Sequence, residues 1–192
     1  DIIVLEGDAY LSSPIDRRPK FHLYQPNIAL ISGIAWDHIN VFPTYENYVE
    51  QFEIFIKLIT NGGILVYNEE DSEVKRVAEA ASNPIRKLPY STPSYRVENG
   101  VTLLKTPEGD MPIEVFGAHN LNNLAGAKWI CQNMGIDEAD FYEAIASFKG
   151  ASKRLEKIAE STTKVAYKDF AHSPSKVAAT TKAVKEQYPN RA

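Results

Sequence analysis

An α/β fold is what this sequence predicts, and three observations predict it. Short β-branched apolar runs alternate with amphipathic stretches of helical period. The runs read as strands at residues 2–6, 28–34, 63–68, 85–89 and 163–170, and the stretches between them as helices at 44–60, 71–81, 121–134, 137–148 and 174–187. The first run is continuously apolar, as a parallel strand covered on both faces is. Cap residues also fall at the expected ends: Asp71 and Asp137 open helices and Gly135 closes one.

Each remaining element has its own signal. Between residues 95 and 116 the pattern changes to short alternating segments, with Asn99-Gly100 as a hairpin turn and Glu108-Gly109-Asp110 as a second reversal. A small antiparallel sheet therefore joins the parallel one. The run Phe148-Lys149-Gly150-Ala151-Ser152-Lys153-Arg154 has the composition of a hinge. Residues 1–150 are expected to form one domain, and 151–192 the hinge and first β-α unit of another.

Composition narrows the function classes. With 192 residues, 44% hydrophobic, 24% charged and a net charge of −4, the chain can build one substantial core, or one domain and part of another. The mildly acidic balance argues against a nucleic-acid surface. A lone cysteine, Cys131, allows no disulfide framework; it fits a reducing compartment and reads as a small apolar side chain. No apolar run approaches the ~20 residues of a membrane helix, and no leader pattern opens the chain, so a cytoplasmic protein without membrane partners is expected. Oligomeric state is not legible. The first run reads as a strand already in progress, and a piece of a longer enzyme is the expectation.

The most informative stretch is Gly117-Ala118-His119-Asn120-Leu121-Asn122-Asn123, between an extended segment and an Ala-rich helix. A glycine turn into a helix leaves backbone N–H groups for a polar or anionic ligand. Asn120 and Asn123 lie three apart on one helical face, so both amides can read a planar group such as adenine. The plainer alternative is that Asn120 caps the helix and Asn123 is simply exposed.

Carboxylates and cations mark other positions. Glu6, ending an apolar strand, and His38, following the next apolar run beside Asp37, both point to the rim where α/β sheets bind ligands. Together they can hold one divalent ion, His38 as a neutral nitrogen donor. Lys153-Arg154 can meet a phosphate, Arg154 forking over two oxygens, or can be a solvated charge pair. In Asp169-Phe170-Ala171-His172-Ser173-Pro174, the carboxylate suits a ribose diol, His172 a substrate, and Ser173 a helix N-cap.

Taken in order, Glu6-Gly7-Asp8, Asp37-His38, Gly117-x-His119-Asn120-x-x-Asn123, Lys153-Arg154-x-Glu156 and Asp169-Phe170-Ala171-His172 resemble the motifs of the Mur ligases, the ATP-dependent amide-forming enzymes of bacterial cell-wall synthesis. The resemblance covers essentially the whole chain. Residues 10–21 are most similar to the branch that joins UDP-N-acetylmuramate to L-alanyl-γ-D-glutamyl-meso-diaminopimelate; the L-alanine-adding branch is the nearest rival, and a folded but non-catalytic domain the alternative of another class. The resemblance implies most of a central nucleotide-binding domain followed by the opening of a Rossmann-like one. It also implies roles: Mg²⁺ on Glu6 and His38; ATP on His119, Asn120, Asn123, Arg154 and Asp169; and Arg154 and His172 as the catalytic pair. Three departures stand out. No G-x-x-x-x-G-K-[ST] pattern occurs, so these residues alone are expected to lack activity. Ala9 stands where the family has an acidic residue. Phe52 replaces a lysine that several sister ligases carbamylate, which the two favoured branches also lack.

Overall fold

Parallel pairing joins three of the expected strands in the computed structural model, which describes residues 2–189. Strands β1 (Ile28–Ile31), β2 (Ile64–Asn68) and β3 (Arg86–Tyr90) lie in the order β1-β2-β3. The crossovers are helices α1 (Tyr45–Leu58) and α2 (Ser72–Ala80). Ile31, Ile56, Leu65, Val74 and Val77 are among the buried core side chains, and Phe52 and Ala9 pack against them. Two of the three departures, Ala9 and Phe52, are thus apolar residues on the core's flank.

Caps place these helices where expected. The Thr44 hydroxyl accepts the Asn47 N–H at 3.1 Å. One Asp71 carboxylate oxygen accepts the N–H groups of Glu73 and Val74, each at 3.0 Å, and the other accepts that of Ile34 at 3.1 Å. The Asn68 side chain donates to the Ser32 carbonyl at 3.0 Å. Both bonds fix the loop leaving β1 at the carboxyl-end rim of the sheet.

Residues 2–6 depart from expectation. They form no strand, and Ile2, Ile3, Val4 and Leu5 are 58–82% exposed. An apolar run shows that a segment gains by burial, but a strand also needs a ladder partner. Among the described residues, no strand pairs with this segment.

These elements make up the first of two units, residues 1–90; residues 91–192 form the second. In the second, β4 (Tyr95–Glu98), β5 (Val101–Thr106) and β6 (Gly109–Ile113) form the expected antiparallel sheet, with left-handed backbone at Asn99 (φ 52°) and Gly100 (φ 78°). Helices α3 (Ala118–Asn133) and α4 (Glu138–Ala146) share its core, where Leu104, Ile113, Leu121 and Phe141 are buried and half-buried Cys131 packs alongside. Gly135 ends α3 at φ 91°, and Asp137 is the N-cap of α4 without a side-chain capping bond.

The hinge leads to β7 (Glu156–Glu160), which pairs antiparallel with β8 (Val165–Lys168), and then to α5 (Pro174–Gln187). The expected 163–170 strand is shorter than predicted, and β7 was not predicted. All five residues of β7 are exposed and carry no apolar alternation for a sequence reading to detect. A small cluster of Phe116, Leu155 and Ala183 fastens this end of the chain to α3. At the far end of α5, buried Gln187 donates to the Gly100 carbonyl at 2.6 Å and accepts from the Thr102 hydroxyl at 3.1 Å.

Candidate functional site

Helix α3 opens on Gly117, at φ 87° and with no side-chain cap. An uncapped start offers its first N–H groups to an external acceptor. Half-buried Asn120 donates one amide N–H to the Phe116 carbonyl at 2.9 Å, one turn back along the helix, so part of its hydrogen-bonding capacity is local. Asn123, one position short of a turn further on, is exposed. His119 is half-buried, and burial pushes its imidazole pKa down against the opposing pull of the Asp169 charge. It is a neutral side chain around pH 7, suited to packing beside a base rather than to pairing with phosphate.

The hinge presents Arg154 in an unusual way. Its two neighbours, Lys153 (φ 60°) and Leu155 (φ 50°), both adopt left-handed backbone. Bulky L-residues avoid that region, and strain of this kind gathers at functional sites. A carboxylate clamps each neighbour: Lys153 N–H donates to Glu156 at 2.9 Å, and Leu155 N–H to Asp169 at 3.1 Å. The Arg154 guanidinium lies 5.7 Å from the centre of the exposed Phe170 ring.

Asp169 is half-buried, which opposes ionisation. Hydrogen bonds from the Thr180 hydroxyl and from the N–H groups of Leu155, Phe170 and Ala171 outweigh that and hold its carboxyl below the usual range. Next to it, His172 bonds through Nδ1 to the Phe170 carbonyl at 2.8 Å. A carbonyl only accepts, so Nδ1 is the donor, which leaves Nε2 facing away from this bond.

In the first unit the geometry corrects one expectation. Glu6 does not end a buried strand but lies on an exposed segment, where a carboxylate carries no desolvation cost. Nearby, Asp8 pairs with Lys20 at 2.6 Å; that hydrogen bond lowers the Asp8 pKa, and the His38 charge lowers it further. His38 stands at φ 55°, its N–H on the Asp37 carboxylate at 2.8 Å and its ring 5.2 Å from Tyr10 in an edge-on contact. Among the described residues, no group of three or more His, Cys, Asp or Glu side chains is arranged to hold a metal ion. A carboxylate and an imidazole suit an ion that keeps most of its shell as water and phosphate oxygen, which is Mg²⁺ behaviour.

His119, Asn120, Asn123, Arg154, Asp169 and His172 all belong to residues 91–192, where the Asp169 charge acts on His119 and its carboxylate holds the residue after Arg154, while Glu6 and His38 belong to residues 1–90. Thr180, Phe170 and Lys20 were not foreseen. Thr180 lies eleven residues beyond Asp169, across a turn and into a helix, and no local pattern links the two.

A parallel sheet with crossover helices in one unit, and a small antiparallel sheet with a glycine-led helix in the other, define an α/β class. Residues 1–131 match the Mur ligase middle domain, and the chain belongs to the Mur ligase family. It is 27% identical over 197 residues to the UDP-N-acetylmuramate–L-alanyl-γ-D-glutamyl-meso-2,6-diaminoheptandioate ligase of Escherichia coli strain K12, covering 96% of this chain and 42% of that protein. It is 28% identical over 202 residues to the UDP-N-acetylmuramate–L-alanine ligase of Porphyromonas gingivalis, covering 98% and 42%. Among solved structures, MurF of Acinetobacter baumannii superposes with a TM-score of 0.70 at 18% identity, over 83% of this chain and 37% of that one. The chain thus spans about 42% of the length of the curated relatives it matches. No helix of the described residues is long and apolar enough to cross a membrane.

Proposed function

We propose that the full-length protein carrying this chain is an ATP-dependent ligase that joins UDP-N-acetylmuramate to L-Ala-γ-D-Glu-meso-diaminopimelate in cytoplasmic peptidoglycan recycling. Residues 1–150 would be its central domain and 151–192 the hinge and start of the next. The observation that carries this reading is the uncapped start of α3, with His119, Asn120 and Asn123 set behind Gly117. Membership of the Mur ligase family and the names of the two sequence relatives support it.

In this reading the adenine lies against Asn120 and Asn123 with neutral His119 beside it, and Asp169 faces the ribose. Glu6 and His38 would hold Mg²⁺, which would supply charge neutralisation on the phosphate oxygens when bound. The substrate carboxylate attacks the γ-phosphorus, ADP leaves, and an acyl phosphate results. Arg154 neutralises charge on the transferring phosphoryl group, where electrostatic stabilisation carries most of the catalysis. The peptide amine then attacks the acyl carbon and inorganic phosphate departs. His172, with Nδ1 engaged by the Phe170 carbonyl, offers Nε2 as the atom to accept the proton that the amine sheds.

The test is ADP release by the full-length protein with UDP-N-acetylmuramate and either the tripeptide or L-alanine. Release with tripeptide and none with L-alanine is expected. Release with L-alanine alone moves the protein to the L-alanine-adding reaction, and release with neither acceptor supports a non-catalytic domain.

A further inference from the structure

We propose that Thr180 is a positioning residue for Arg154, acting through the Asp169 carboxylate. The inference rests on the reading that Arg154 meets the terminal phosphate of ATP. Three links connect the residues. The Thr180 hydroxyl, on α5, donates to one Asp169 oxygen at 2.7 Å. The other oxygen accepts the N–H of Leu155 at 3.1 Å. Leu155, which directly follows Arg154, holds a left-handed backbone at φ 50° while its side chain is buried with Phe116 and Ala183.

A leucine leaves that conformation unless its surroundings impose it. Burial fixes the side chain, and the carboxylate fixes the backbone. The N–H groups of Phe170 and Ala171, beside Asp169 in the chain, also bond the carboxylate, and a donor on its far oxygen from a separate element keeps it from rotating away. Thr180 supplies one from a β-branched side chain, which in a helix has few rotamers to choose from. Phe170, adjacent to Asp169, lies under the guanidinium. One turn of chain therefore sets both the backbone and the head group of Arg154, and α5 holds that turn through the Thr180 hydroxyl and through Ala183 packed with Leu155.

Removing the hydroxyl leaves every apolar contact of Thr180 in place and loosens only the carboxylate. A small misplacement of a phosphate-neutralising group is felt in the chemical step more than in binding of the acceptor. In the full-length protein, Thr180→Val is expected to lower kcat for ADP release about tenfold, the scale of one hydrogen bond to a charged group, with the KM for the peptide unchanged. Thr180→Ser, which keeps the donor, is expected to recover most of that loss. In an Arg154→Ala background Thr180→Val is expected to have no further effect.

A Thr180→Val enzyme as active as the parent, or a loss that multiplies with that of Arg154→Ala, overturns the inference. An Arg154→Ala enzyme with parental activity overturns instead the reading on which the inference rests, and the single variant shows this separately. If Thr180→Val does not fold by circular dichroism, Thr180→Ala takes its place in the same cycle.

Discussion

Gly117 and Ala183 face each other so closely that a Cβ on the glycine would overlap the alanine side chain. The contact ties the start of α3 to the middle of α5, and it explains the glycine twice over. The backbone there is left-handed at φ 87°, and the space a methyl group would need is occupied by Ala183 and the His119 ring. Gly117→Ala is expected to destabilise residues 91–192 by about 2–3 kcal/mol in urea unfolding, combining overpacking with backbone strain. Pairing it with Ala183→Gly should recover only the overpacking share.

Gln187 supplies the other anchor of α5. Its side chain is 6% exposed and bonds on both sides, to the Thr102 hydroxyl and the Gly100 carbonyl. Thr102 itself is fully buried. Thr102→Val removes a donor while leaving the Gln187 oxygen in place, and a buried acceptor without its donor costs about 1–3 kcal/mol. Chemical denaturation of the variant should show that loss, and Gln187→Leu combined with Thr102→Val should cost less than the two single changes added.

His119 makes a prediction about pH. Burial lowers its folded-state pKa below the ordinary 6.5. Between the two values the unfolded chain holds more protons than the folded one, so stability rises with pH across that window. The contribution is complete above the unfolded value and is lost as pH falls through the folded one. Asp169 also has a lowered pKa, but from 3.8, so its contribution fails only in a more acidic window. Melting temperature measured from pH 7 downward should therefore begin to fall below about 6.5. His119→Gln should flatten the upper part of that fall and leave the acidic part intact, and an unchanged profile would show that the ring titrates as if exposed.

Much of the fold was legible because caps and periodicity are local. α5 falls at 174–187 as expected, and Thr44, Asp71 and Gly135 do what their types predict. Residues 2–6 failed for a non-local reason: apolar character does not name a strand partner. β7 failed because five exposed residues carry no burial pattern. The candidate site residues stand out by their motifs and by resemblance to a family, but their physical settings do not. Nothing near Lys153-Arg154 announces left-handed backbone on both sides, and nothing near Asp169 announces Thr180. These are tertiary facts, imposed by a helix that folds back over the hinge.

Asp71 shows how a local signal can carry a tertiary consequence. As an N-cap it satisfies the N–H groups of Glu73 and Val74, and its second oxygen reaches the Ile34 N–H in the loop that leads on to Asp37 and His38. Asp71→Ala removes all three bonds and should cost about 2–3 kcal/mol, more than a cap alone, because the Ile34 amide loses its partner as well. Asp71→Asn keeps one carbonyl oxygen and can satisfy the cap or the loop but not both, so its cost should fall between. Amide hydrogen exchange separates the two contributions. In Asp71→Asn, protection should survive either at Val74 or at Ile34 and drop at the other, and in Asp71→Ala it should drop at both. Full protection of Ile34 in Asp71→Ala would mean that packing of the buried Ile34 side chain, and not the carboxylate, holds the loop bearing His38 at the rim of the sheet.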